Sequence, residues 1–192
     1  CIGPAGVGKT YLSVHRALRE LGDRESVIPH YMGLGVVKLP VSPRYAYHFY
    51  SDQAEIFCDP IHEHRFNFTS TVVRGRFKNT LYTLFDDDPN SPYVVEEGEC
   101  GPDTEKNITM RNVRIHESAS FVTSEGESYS LAYDTWHRVE CLTNKVITFL
   151  DKQPFVHYMG RILQDSRNPL PCSFSRPKTV KNCWEIIEYT IT

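Results

Sequence analysis

IHEHRFNFTSTVVRGRFKNTLY, residues 61–82, carries one run of aromatic and β-branched side chains, FNFTSTVVRG (66–75), which ends on Gly75, and the start of a second, FKNTLYTLF (77–85). Runs of this kind with tight punctuation are the signature of strands in an antiparallel sandwich or barrel. His62 and His64 open the stretch as His-x-His. Alternate residues of an extended chain project to one face, so the two imidazoles can converge on one metal ion while Glu63 points the other way. A third ligand must come from elsewhere, and His137 in Trp136-His137-Arg138-Val139-Glu140 is the best candidate. Three neutral imidazoles with open positions suit iron, zinc, copper, nickel or manganese, and the residues alone do not choose among them.

The same pattern extends outward. RYAYHFY (44–50) and AEIFC (54–58) precede the histidines, and ITMRNVRI, ASFVTS, SYSLAY, WHRVEC and KVITFLD follow. Residues 86–107 are acidic, hold three prolines, and are predicted to form an exposed loop. A Pro- and Ser-containing stretch (166–182) leads to a last apolar run, WEIIEYTI (184–191). The expected fold is all-β over residues 44–192, with 23–43 as a linker. His15, His30, His48, His116 and His157 have no convergent spacing and are read as surface or satisfied strand histidines.

Composition bounds the function classes. The chain has 192 residues, 40% hydrophobic and 23% charged, and a net charge of −3, which gives no electrostatic case for nucleic acid or an anionic membrane. No apolar run approaches the roughly 20 residues of a membrane span. The 6 cysteines include no Cys-x-x-Cys pair, which excludes zinc-ribbon and thioredoxin-type readings. With no signal peptide in view, they are expected to be reduced thiols in a cytosol.

Residues 61–82 resemble the first cupin motif, in which His-x-His is followed about a dozen residues later by a glycine, here Gly75. DTWHRVE (134–140) resembles the second, with His137 as its single ligand. Together they look most like the cysteine dioxygenase branch: Gly75-Arg76-Phe77-Lys78-Asn79-Thr80-Leu81 is the counterpart of its approximate Gly-x-Leu-Lys-x-Thr-Leu, with Phe77 in place of the first leucine, and Trp136-His137-Arg138-Val139-Glu140 the counterpart of its Gly-Leu-His-Arg-Val-Glu, with Trp136 in place of leucine. The glutamate that many cupins place four residues after His-x-His is replaced by Phe68, as in that branch. The resemblance implies a double-stranded β-helix of the cupin type, with one divalent metal, Fe(II) first and Zn, Ni or Mn as alternatives. It implies a dioxygenase acting on a small thiol or acid, with Arg44 and Tyr158 as the positions for a carboxylate-holding arginine and a late-barrel tyrosine. A homo-oligomer fits the same picture. The rival class is a non-catalytic binding or structural module, since fold does not fix function.

The chain begins differently. Gly3-Pro4-Ala5-Gly6-Val7-Gly8-Lys9-Thr10 matches the Walker A pattern, whose backbone N–H groups cradle phosphates while the lysine (Lys9) reaches the β and γ groups and the threonine (Thr10) ligates magnesium. Residues 10–21 carry helical spacing and predict a short N-terminal helix. CIGPAGVGKTYLSVHRAL resembles the start of PhoH-like ATPases, which implies ATP and Mg as ligands of Gly3, Gly8, Lys9 and Thr10, and a viral source with residence in a host cytoplasm. Only Cys1-Ile2 precede the loop, and no further parallel strands follow it. Residues 1–22 are therefore read as a P-loop remnant joined to an unrelated domain.

Overall fold

The computed structural model describes residues 27–32, 36–52, 60–86, 88–98, 109–157, 160–167 and 179–192, and among these residues strand-forming composition becomes eleven strands and one helix. One sheet runs β1 (His30–Tyr31), β2 (Val36–Pro40), β3 (Tyr45–Ser51), β10 (Lys145–Lys152), β4 (Phe68–Arg74), β8 (Ser128–Leu131). The other runs β11 (Gly160–Asp165), β6 (Tyr93–Gly98), β7 (Thr109–Ser124), β5 (Arg76–Asp86), β9 (Trp136–Cys141). Neighbours pair antiparallel throughout. The steps β4 to β5, β7 to β8, β8 to β9 and β9 to β10 each cross from one sheet to the other. That alternation is the rolled topology of a double-stranded β-helix, so the all-β, cupin-type expectation holds.

Alternation along the strands sorts the side chains. Phe68, Leu131 and Leu150 pack with Leu81, and Val72 and Val146 pack with Phe77 and Val139, so the space between the sheets is a shared apolar interior. Gly75 makes the crossing from β4 to β5 at φ +82°, a left-handed conformation that costs glycine little. On the outer face of the first sheet, Val37, Leu39, Phe49, Val73 and Ile147 are covered by Cys183, Ile186, Ile187 and Ile191 of α1 (Val180–Ile191).

Four expectations change. The described part of 23–43 is not linker, because His30–Tyr31 and Val36–Pro40 form β1 and β2 of the first sheet and bury Val37 and Leu39. Residues 86–107 are not all loop, because Tyr93–Gly98 forms β6, paired with both β7 and β11. Its Val95 is buried with Val113, Trp136 and Leu163, which gives this acidic stretch a core to join. ITMRNVRI and ASFVTS belong to one strand, β7, whose register against β5 shifts between Leu81 and Tyr82. The described helix is C-terminal: Thr179 caps it, accepting from Asn182 N at 3.2 Å, and Cys183, Ile186, Ile187, Thr190 and Ile191 supply a buried stripe. The predicted N-terminal helix, the linker's first residues and AEIFC lie outside the described residues.

Candidate metal centre

The second sheet curls until its two edges meet through residues 61–63. His62 and His137 exchange backbone hydrogen bonds, each N–H donating to the other's carbonyl at 2.9 Å. On the far side Leu163 N donates to Ile61 O at 2.8 Å and Glu63 N to Arg161 O at 3.1 Å. The short extended segment is thus sewn between β9 and β11, and alternation does the rest. Ile61 joins the Trp136 and Leu163 core, while His62 and His64 turn to the interior. Glu63 points the other way, as the spacing predicted, and is buried at 5% exposure. It binds Arg161 through both carboxylate oxygens, Arg161 Nη2 donating to Oε2 at 2.5 Å. The guanidinium of Arg161 also stands 5.6 Å from the ring centre of Trp136.

One ring nitrogen from each of His62, His64 and His137 falls within 4.8 Å of the others. The His64 and His137 Nε2 atoms are 2.9 Å apart. Two imidazole nitrogens each about 2.1 Å from one ion and at right angles across it would be about 3.0 Å apart, so the spacing fits a shared ion. The ring orientations are fixed from behind. His62 Nδ1 lies 2.9 Å from the Pro60 carbonyl, which can only accept, so the proton sits on Nδ1. His137 Nδ1 lies 3.0 Å from Asn79 Oδ1 and donates to it. Both rings then turn the Nε2 lone pair inward, the tautomer that metal ligation needs. Burial, followed by the charge of His62, holds both His64 and His137 well below the ordinary imidazole range, so these two rings are neutral donors at neutral pH. Phe68 occupies the place of a carboxylate ligand, its ring centre 4.5 Å from that of His64. A preoriented, nitrogen-only donor set fits a divalent transition ion. The fold is cupin-like.

No family model and no curated protein matches the sequence. Among solved structures the chain is similar to an RmlC-like cupin from Shewanella frigidimarina NCIMB 400, at 14% identity and TM-score 0.38 over 68% of this chain and 86% of that one. It is similar to the hydroquinone 1,2-dioxygenase of Sphingomonas sp. TTNP3 with 4-hydroxybenzoate bound, at 13% identity and TM-score 0.35 over 60% and 62%. It is also similar to the DMSP lyases RdDddP and RnDddQII, at 13% identity and TM-score 0.32 over 58% of this chain and 38% of that one. The chain therefore spans well under half of the lyase chain. Likenesses this remote carry no chemistry, and the cupin reading rests on the sheet topology and the histidine geometry.

Arg44, the other sequence candidate among the described residues, is not brought to this point. Arg44 lies at the start of β3 with 56% of its side chain exposed, held by Asp151 through bonds of 2.5 and 2.8 Å. Tyr158, and Gly3, Gly8, Lys9 and Thr10 of the phosphate loop, lie outside the described residues. His48, read as a surface or satisfied histidine, is neither: its Nε2 is buried and makes no hydrogen bond among the described residues. Asn79 and the Glu63–Arg161 pair were missed because their partners lie 58 and 98 residues away in sequence. The signal for Asn79 was its shared face with Phe77 on β5, a polar side chain at an interior position.

Proposed function

We propose that the chain is a metal-dependent enzyme of the cupin type, with His62, His64 and His137 holding one divalent ion, and that it is a dioxygenase acting on a small thiol or acid. Iron(II) comes first, ahead of zinc, nickel or manganese. The observation that carries the reading is the convergence of three ring nitrogens within 4.8 Å at the centre of a rolled β-sandwich. The likeness to the three-histidine thiol dioxygenases in the 61–82 and 134–140 motifs supports the finer version, as does Phe68 where other cupins carry a carboxylate. A bound divalent ion would supply Lewis acidity and open coordination positions. The chain's own residues do the rest. Pro60 and Asn79 hold the Nδ1 protons, Phe68 and Leu81 line an apolar interior that keeps water out, and the Glu63–Arg161 pair fixes the ligand-bearing segment.

The test is metal analysis of purified protein together with oxygen uptake. One iron per chain and thiol-dependent oxygen consumption, both lost in His137→Ala, is the expected result. Stoichiometric metal without turnover of any thiol or acid assigns a binding module instead. Failure to retain any divalent metal removes the proposal altogether.

A further inference from the structure

The interior wall opposite the histidines carries charge that the metal centre does not use. On β2, Val37 and Leu39 belong to the core under α1, so Lys38 between them turns inward. On β3, Tyr47 and Phe49 face α1 and His48 turns inward, directly across from Lys38 in the strand register. On β10, Phe149 faces α1 while Leu150 lies in the interior, and Lys152 shares the parity of Leu150, paired with Phe68.

Among the described residues, neither lysine has a carboxylate. Asp151, next to Lys152 in sequence, pairs with Arg44, and Glu63 pairs with Arg161. Lys152 Nζ stands 5.8 Å from the ring centre of Phe66, an apolar surrounding for a cation. His48 Nε2 is buried with no hydrogen-bond partner among the described residues. Two ammonium groups and an orphaned ring nitrogen on one inward face are costly to leave unmatched. The electrostatics agree. Burial first, then Lys152 and Arg65, lowers Lys38 to about 8, so it still carries its charge at neutral pH. Burial first, then Lys38, Lys152 and His62, lowers His48 to about 3, which leaves it a neutral hydrogen-bonding group. His64 in turn feels both His48 and Lys38, so this wall and the metal centre face one interior.

We propose that Lys38, His48 and Lys152 form a subsite for the carboxylate of a small organic acid, on the barrel wall facing His62, His64 and His137. This names the substrate class for the site proposed above and rests on that reading for the acid's reacting end, whereas the carboxylate contact itself needs no metal. A carboxylate offers two oxygens, one for an ammonium group and one for a neutral N–H donor, and its single negative charge offsets the two lysines better than none. Convergent polar groups in an otherwise apolar interior are the usual make-up of a small-molecule site.

The experiment titrates the full chain with mercaptoacetate, its methyl ester and inorganic phosphate, following NMR shifts, once zinc-loaded and once after chelation. The acid should bind in both states, and the ester should bind more weakly than the acid when zinc is present and not at all after chelation. Lys38→Met and Lys152→Met should each weaken the acid by about tenfold, the loss of one charge-assisted contact, with zinc content unchanged. Both variants should fold and melt no lower than wild type, because each removes an unmatched ammonium group. Equal binding of acid and ester, or wild-type affinity in both lysine variants, overturns the subsite. Phosphate binding as tightly as the acid overturns the carboxylate assignment. Loss of affinity in Arg44→Met instead returns the role to Arg44. A chain that holds no zinc yet loses the acid in Lys38→Met keeps this inference and loses the metal one.

Discussion

Replacing Gly75 with alanine tests the crossover that delivers β5 to the histidines. Two separate costs are present. A Cβ at φ +82° is strained by about 1–2 kcal/mol for any L-residue. That Cβ would also sit 2.3 Å from the Lys145 carbonyl, 2.6 Å from Thr143 Oγ1 and 3.1 Å from Val146 Cγ2. The nearest atom is backbone of the neighbouring β9 to β10 turn, so relief requires that turn to move. Moving it breaks the bonds Thr143 Oγ1 makes, accepting from Arg76 N and donating to Lys145 O, each 3.1 Å long. Two lost hydrogen bonds at about 1 kcal/mol each bring the total to about 3–4 kcal/mol. Gly126 is the internal control. Its φ is +85°, but no described atom lies within 4 Å of the point its Cβ would occupy, so only the strain applies. At roughly 2–4 °C per kcal/mol for a chain of this size, Gly126→Ala should lower the melting temperature by about 2–8 °C and Gly75→Ala by about 6–16 °C, about twice as much or more at any one conversion. Gly75→Val should fall further, since a β-branched side chain tolerates positive φ less well. The assay is thermal unfolding by circular dichroism, with metal content measured on the folded fraction. Equal falls for the two alanine variants would refute the argument from close approach.

His64→Ala should remove bound metal, read by elemental analysis, while leaving a cooperative melt, because apolar burial and not the ion holds the sandwich together; retention of full metal would make His64 structural. Glu63→Gln leaves the Arg161 guanidinium without its buried carboxylate and should cost about 3 kcal/mol of stability, visible as a lower denaturant midpoint with an unchanged slope. Acid should unfold the metal-free protein early. His48, His64 and His137 are all lowered from the ordinary imidazole value, so the unfolded chain takes up protons first as the pH falls below about 6.5, and stability drops by about 1.4 kcal/mol per pH unit for each of the three. For His48 the drop continues down to about 3. A stability curve flat between pH 6 and pH 4 contradicts the burial of these rings.

The residues that declared themselves in the sequence did so through local periodicity. A spacing of two put His62 and His64 on one face and Glu63 on the other, and a lone glycine between two aromatic runs marked a turn. His137 needed motif likeness, because nothing local distinguishes one strand histidine from another. What stayed hidden depends on which strands meet. His48 and Lys38 look like ordinary polar residues until β3 is found covered by α1 on its opposite face. α1 itself repeats at 183, 186, 187, 190 and 191, a helical period concealed by isoleucine, tyrosine and threonine, which prefer strands. The acidic 86–107 stretch concealed β6 for the converse reason: its charges are visible in sequence, while the buried partners of Val95 lie on β7, β9 and β11.

The clasp formed by residues 61–63 has a temporal meaning. Two candidate ligands are made early, yet the histidine that completes the site is 73 residues downstream of His64, and the arginine that clamps the clasp is 98 residues downstream of Glu63. Translation adds roughly 5–20 residues each second, so at least about 5 s separate the synthesis of Glu63 from that of its partner. Until β9 and then β11 are made, His62 and His64 belong to a nascent chain without the strands that hold their segment. An ion caught before β9 is made would have two ligands instead of three and would leave readily. A three-histidine site can form only after β9 has been made, and the clasp closes only when Arg161 on β11 has followed it.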